Sequence, residues 1–241
     1  MENMKRFGVD APVVPLVYLL AGLGLLIHAY VNRQSYSIVG EVVLGIVLIL
    51  GAGLFFHTTL RGKYRIFDQV VQRLALAPDA QVLDLGCGRG ALLTRIAQQF
   101  TVPGKVTGLD LWRSRDQSHN GLAVAQKNLD YLGVADRATL VTGNMVKLSF
   151  ADNSFDAVTT SFALHNISSF KQRDQAVQEA IRVLKPGGQL LIIDTGHHAT
   201  QYRDGLRAGH VEIVTSRGLG INGWWSGPWM GSYLIFGKKQ G

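Results

Sequence analysis

The stretch VLDLGCGRGALL, residues 82–93, decides how this chain is read. A buried-looking apolar run carries Asp84 near its end and then gives way to Gly86, Gly88 and Gly90. Glycines after a strand let the backbone turn tightly and approach a ligand, and the helix that follows points free N–H groups at an anionic part of it. Many ligands fit that description. Working outward, short apolar runs alternate with amphipathic ones from residue 61 onward, the pattern of a parallel sheet covered by helices.

Strands are expected at 81–85, 105–109, 138–142, 155–161, 189–194, 211–217 and 232–238, and helices at 64–76, 91–100, 121–133, 172–184 and 199–208. The turns APDA, VPGK and KPGG punctuate them. The fold class is therefore α/β, a doubly wound and mostly parallel seven-stranded sheet. Two segments lengthen it: residues 112–126 after the second strand, and GINGWWSGPWMG at 220–231.

Ahead of this domain lie two apolar runs, at 13–31 and 38–57, each close to the roughly 20 residues that cross a bilayer as a helix. They are expected to form a membrane hairpin over residues 1–60, with the domain occupying 61–241. A cleaved signal peptide is the alternative for the first run, but its apolar part exceeds the usual length and a second run follows at once. Basic residues flank the outer ends, Lys5 and Arg6 before and Arg61, Lys63 and Arg65 after, with only Arg33 between. This asymmetry places both termini and the domain in the cytoplasm. His28 and Glu41, inside the runs near the connecting loop, are expected to pair locally or reach the interface.

The chain has 241 residues and a formal charge of +7, carried wholly after residue 60 because the first sixty residues balance. A basic domain beside an anionic leaflet is attracted to it, and nucleic acid would attract it too. The single cysteine, Cys87, excludes an intramolecular disulfide.

The glycine loop alone leaves a dinucleotide site open, since Gly86, Gly88 and Ala91 satisfy that fingerprint and Asp110 lies at ribose-binding distance. A membrane-bound NAD-dependent oxidoreductase is thus one rival, and a cofactor-binding module without chemistry another. Asp84 ahead of the glycines suits an ammonium group and not a pyrophosphate. VTGLDLW (106–112), VTGNM (141–145), FDAVTTSFALHNI (155–167) and VLKPGGQLLIID (183–194) follow at the intervals of successive strands. In that order the chain resembles the class I S-adenosylmethionine-dependent methyltransferases over 61–241.

The resemblance implies S-adenosylmethionine as cofactor. Asp84 and the loop through Gly86, Cys87, Gly88 and Gly90 would hold its methionine end, and Asp110 its ribose. Leu111 and Trp112 would flank the adenine, Asn144 and Met145 would meet its edge, and Ser161 would lie beside it. Asn144 stands where the family often has Asp, so its amide oxygen accepts without charge assistance. His165 is the candidate base for an acceptor that must lose a proton, and His197 and His198 are weaker candidates for substrate contact. No metal is expected. The lack of an Asn/Asp-Pro-Pro-aromatic motif after the fourth strand weighs against nucleic-acid amines. A lipophilic or membrane-associated small molecule is the expected acceptor, with a protein or nucleic-acid substrate as the alternative. The tryptophans of 220–231 suit a membrane interface or a greasy substrate mouth.

Overall fold

The computed structural model describes residues 7–34, 37–101, 105–113, 117 and 119–241. Lys5, Arg6, most of the VPGK turn and part of the 112–126 crossing lie outside the described residues. Two helices, α1 (Val13–Val31) and α2 (Val39–His57), open the chain. Each has 19 residues and is therefore about 28 Å long. Both are long and apolar enough to cross a membrane. Their outward faces carry leucine, isoleucine and valine, with Leu20 60% and Ile27 63% exposed. That inverts the polar outer face of a helix packed on a water-soluble core.

The two helices approach where small residues allow it. A Cβ on Gly22 would lie 2.8 Å from the carbonyl oxygen of Gly45, and one on Gly45 would lie 3.0 Å from that of Gly22. At the loop end His28 Nδ1 meets Glu41 Oε2 at 2.9 Å, so the two ionisable groups pair across the hairpin.

α2 does not stop at the apolar boundary. It runs through a π-turn, Thr58–Gly62, into α3 (Lys63–Arg73). Inserted π-turns shift a helix face, and this one buries Thr58, Thr59, Gly62 and Lys63 against the domain. A Cβ on Gly62 would meet the Asn222 carbonyl at 2.1 Å, so only glycine permits that contact.

The sheet follows: β1 (Val82–Leu85), β2 (Val106–Asp110), β3 (Ala138–Thr142), β4 (Phe155–Ser161), β5 (Leu184–Thr195), β6 (Val211–Gly218) and β7 (Ser232–Lys239), in spatial order 3-2-1-4-5-7-6. β7 is antiparallel to both neighbours, and the β1 to β5 pairings are parallel. Interleaved are α4 (Leu93–Ala97), α5 (Leu122–Tyr131), α6 (Phe170–Val183) and α7 (Ala199–Ala208). All four residues of β1 are buried, as a central parallel strand requires. Val82 joins the core under α3 and α4, and Leu83 and Leu85 join the core under α6 and α7. The strand order reverses between β1 and β4, which opens a crevice at their carboxyl ends.

Two expectations need correction. KPGG, read as a turn between helix and strand, lies inside β5. Its residues bulge where the register jumps from Phe155↔Leu184 to Ala157↔Gln189, with Gly187 at φ +77°. The division at residue 60 is not a packing boundary either. The α2–α3 helix crosses it without a break, and Phe7, 2% exposed, belongs to the same core as Tyr64, Phe67 and Val70.

Candidate functional site

The chain leaves β1 at Leu85 and turns over the end of β2, where Gly86 and Cys87 both donate their amides to the Leu109 carbonyl, at 2.7 and 3.2 Å. Gly86 has φ +71°, and a Cβ there would lie 2.3 Å from that of Ala163. Gly88 has φ +53°, and a Cβ there would lie 2.6 Å from Gln117 Oε1. Both glycines are favoured by conformation, and Gly86 also by its contact with the short Ala163 side chain. It walls a cavity of about 210 Å³ at the crevice between β1 and β4.

Asp110 ends β2 and holds the loops together. Its carboxylate accepts the Gly88 amide at 2.8 Å, the Trp112 amide at 2.6 Å and the Asn120 side-chain amide at 3.2 Å. It also lines the cavity, as do Gly86, Cys87, Gly88 and Leu111. Asn144, Met145 and Ser161 close the wall from the ends of β3 and β4. Asn144 Oδ1 accepts the Val146 amide at 3.0 Å, so its oxygen is partly engaged in a local turn. Burial, reinforced by Asp84 and Asp110, pushes the Cys87 thiol well above its usual pKa. The thiol therefore stays protonated and acts as a small apolar filler.

Three residues expected at the ligand do not line the cavity. Asp84 is fully buried beneath the loop and outside the cavity wall. Its Oδ1 accepts from the Thr159 hydroxyl at 2.7 Å, and its Oδ2 is buried without a hydrogen-bond partner. Burial raises this carboxyl to about 7. Trp112, at φ +58°, sends its Nε1 to Thr142 Oγ1 at 2.8 Å and packs on the core, away from the wall. Gly90 serves the turn into α4, accepting from the Thr94 amide at 3.0 Å.

His165 sits in a short 3₁₀ turn after β4. Its Nδ1 lies 2.5 Å from Asp194 Oδ1, and its backbone amide donates to Asp194 Oδ2 at 3.0 Å. Asp194, at the end of β5 and 1% exposed, also accepts from Tyr202 Oη at 3.0 Å and from the Thr195 amide at 2.9 Å. A carboxylate on Nδ1 fixes the imidazole so that Nε2 becomes the proton acceptor. His165 is beside the cavity and not in its wall, which is built by its neighbours Ala163 and Asn166. His197 and His198 line a separate depression with Arg173 between α6 and α7. Burial and the nearby Arg173 hold His198 below its usual pKa. Among the described residues no group of His, Cys, Asp or Glu is arranged to hold a metal ion.

Sequence reasoning missed Asp194 and Tyr202, although Asp194 ends an apolar strand as Asp110 does. It also missed two cavity residues, Asp10 and Lys63, which belong to the two feet of the hairpin. The 220–231 segment is the socket for α2. Thr58 Oγ1 donates to the Trp224 carbonyl, His57 Nε2 meets Asn222 Oδ1 at 3.2 Å, and the Phe55 ring meets that of Trp225 at a tilt of 59°, centroids 5.1 Å apart. Trp225 is buried, whereas Trp229 is 64% exposed.

The donor set fits a nucleoside carrying a charged tail. Asp110 offers a carboxylate at the end of β2, the glycine loop offers close backbone approach, and Asp10 and Lys63 add one charge of each sign.

Residues 82–188 match the methyltransferase domain family. The chain is 40% identical over 127 residues to a demethylmenaquinone methyltransferase of Lactiplantibacillus plantarum, covering 53% of this chain and 50% of that protein. It is 35% identical over 136 residues to one of Listeria welshimeri, covering 56% and 52%. The chain thus spans about half the length of these relatives. Among solved structures, a geranyl diphosphate methyltransferase in complex with S-adenosylmethionine superposes with a TM-score of 0.61 at 15% identity, over 79% of this chain and 90% of that one. The cyclase SpnF superposes with 0.60 at 22% identity, over 73% and 80%. At such identities the likeness shows the fold alone, and the cyclase illustrates that one fold hosts different reactions.

Proposed function

We propose that this chain is a class I S-adenosylmethionine-dependent methyltransferase and that it methylates a lipophilic ring compound of the quinone type held in a membrane. The observation that carries the substrate class is the short path from apolar helix to cavity. Phe55 of α2 touches Trp225, and Trp225 touches Phe162 at 5.3 Å. Phe162 lines the cavity. The names of the two bacterial relatives supply the quinone type.

In this reading α1 and α2 span the bilayer, with both feet on the cytoplasmic side together with the domain. A Cβ on Gly51, six residues before the end of α2, would lie 3.2 Å from the Ser226 carbonyl oxygen. The socket therefore climbs about 9 Å along the helix, and the exposed Trp229 of the same segment is a ring suited to the headgroup region. The positive charge of the domain favours the same anionic surface.

S-adenosylmethionine, when bound, supplies an electrophilic methyl group on sulfur. Asp110 and the glycine loop would orient it, and Phe67, Phe162 and Met145, which line the cavity, would help to exclude water there. A hydroquinone becomes nucleophilic once a ring hydroxyl loses its proton. His165, oriented by Asp194, is the group we assign to take that proton. The deciding experiment incubates full-length protein with membrane extract and methyl-labelled cofactor and reads the lipid fraction by mass spectrometry. Label in a quinone-type lipid is expected. Label confined to nucleic acid or protein, or tight binding of NAD in place of S-adenosylmethionine, would overturn the proposal.

A further inference from the structure

Four charged side chains among the described residues line the cavity: Asp10, Lys63, Asp110 and Arg113. Asp110 and Arg113 stand together at the end of β2. Asp10 and Lys63 come from the hairpin, one just before α1 and the other at the start of α3, 53 residues apart in sequence.

The pair is built into the fold. Lys63 is 3% exposed, and its Nζ donates to Asp10 Oδ2 at 2.5 Å. The same oxygen accepts from Thr59 Oγ1 at 2.6 Å, and the Asp10 amide donates back to Thr59 Oγ1 at 3.0 Å. Phe7, three residues earlier, is anchored in the core against Tyr64, and its carbonyl accepts from the Gln117 side chain at 3.2 Å. Gln117 in turn accepts the Arg89 amide at 3.1 Å, inside the glycine loop. The segment before α1 is thereby tied to the loop that walls the cavity.

The pair is also incomplete. An ammonium has three donors; among the described residues Lys63 Nζ hydrogen-bonds Asp10 alone, with the Tyr64 ring centroid 5.2 Å away as its other neighbour. Asp10 Oδ1 accepts nothing among them, while Oδ2 takes both bonds. An almost buried ammonium with spare donors beside a carboxylate with a spare oxygen is costly unless a ligand completes it. Asp84, which the resemblance assigned to the cofactor's ammonium, is buried beneath the loop and out of the wall.

We infer that Asp10 and Lys63 form the subsite for the amino-acid zwitterion of S-adenosylmethionine, Lys63 taking the carboxylate and Asp10 the ammonium. The inference rests on the cofactor named above. It makes the two feet of the hairpin part of the cofactor site, so that the domain from residue 61 onward lacks one half of the subsite.

The test uses full-length protein in detergent and calorimetry with two thioether ligands: S-adenosylhomocysteine, which keeps the zwitterion, and 5′-methylthioadenosine, which lacks it. Lys63→Met and Asp10→Asn should each weaken S-adenosylhomocysteine tenfold or more and change methylthioadenosine less than twofold. Lys63→Arg should restore most of the loss. Unchanged S-adenosylhomocysteine binding in both variants would overturn the subsite. Equal weakening of both ligands, with a lowered unfolding midpoint, would also overturn it by making the pair a purely structural clamp. Failure of wild-type protein to bind either ligand would instead strike the cofactor assignment itself.

Discussion

Trp225 and Phe162 meet edge to face, ring centroids 5.3 Å apart and planes at 86°. One ring packs on the end of α2 and the other lines the cavity, so the apolar helix and the cavity share a wall two rings thick. Trp225 also donates from Nε1 to Ser232 Oγ at 3.0 Å. Trp225→Ala removes a buried ring with contacts on both sides and should cost about 3–5 kcal/mol in denaturant unfolding. Trp229→Ser removes an exposed ring and should leave stability within about 0.5 kcal/mol, yet slow turnover of acceptor presented in vesicles. Equal rates in vesicles and in detergent for Trp229→Ser would detach that ring from the membrane.

Asp110→Ala is expected to weaken S-adenosylhomocysteine by about 1.5–3 kcal/mol, the usual value of a hydrogen bond to a charged group. Part of the loss comes through the loop, because the Gly88 and Trp112 amides lose their acceptor. Calorimetry of Asp110→Asn separates the two contributions. The amide keeps an oxygen for one loop bond, so a loss as large as that of Ala would place most of the effect on charge.

Asp84 carries a pH dependence whose sign is fixed by burial. Its carboxyl is raised to about 7 in the folded chain from an ordinary 3.8. Its contribution to stability is therefore full below about pH 4 and is lost as pH rises through 7. The ceiling on that loss is about 4 kcal/mol. Asp84→Asn keeps the shape and cannot ionise, so its thermal midpoint should gain on the wild type between pH 5 and pH 8. A constant difference across that range would show that Asp84 does not titrate there.

His165→Ala should lower turnover by about 10²–10⁴-fold while cofactor affinity stays within a factor of two. Asp194→Asn should lower turnover in the same direction, because the carboxylate at Nδ1 that orients the ring is gone. Single-turnover rates measured beside calorimetry decide this. Normal turnover in His165→Ala would leave orientation alone as the source of catalysis.

Much of this molecule was legible in the chain itself, because its signals are local. β3, β4 and α7 fall on their expected boundaries, since apolar alternation and helix periodicity act over a few residues. The glycine loop and Asp110 were equally visible, because a positive φ favours glycine and an acid at a strand end holds the adjoining amides. The bulge at KPGG was not. Glycine and proline mark a break in regularity, but only the pairing of Leu184 with Phe155 made that break part of a strand.

What the sequence determined by itself is the order of elements, the two apolar helices and the glycine loop that carries the family resemblance, all set by the chemistry of neighbouring residues. The tertiary structure alone decided which distant groups meet. It buried Asp84 below the loop, turned Trp112 to Thr142, set Asp194 behind His165 across 29 residues, and brought Asp10 to Lys63 across 53. Such pairings depend on how helices lie on the sheet and how the π-turn rotates α2 into α3, and no local pattern encodes that rotation.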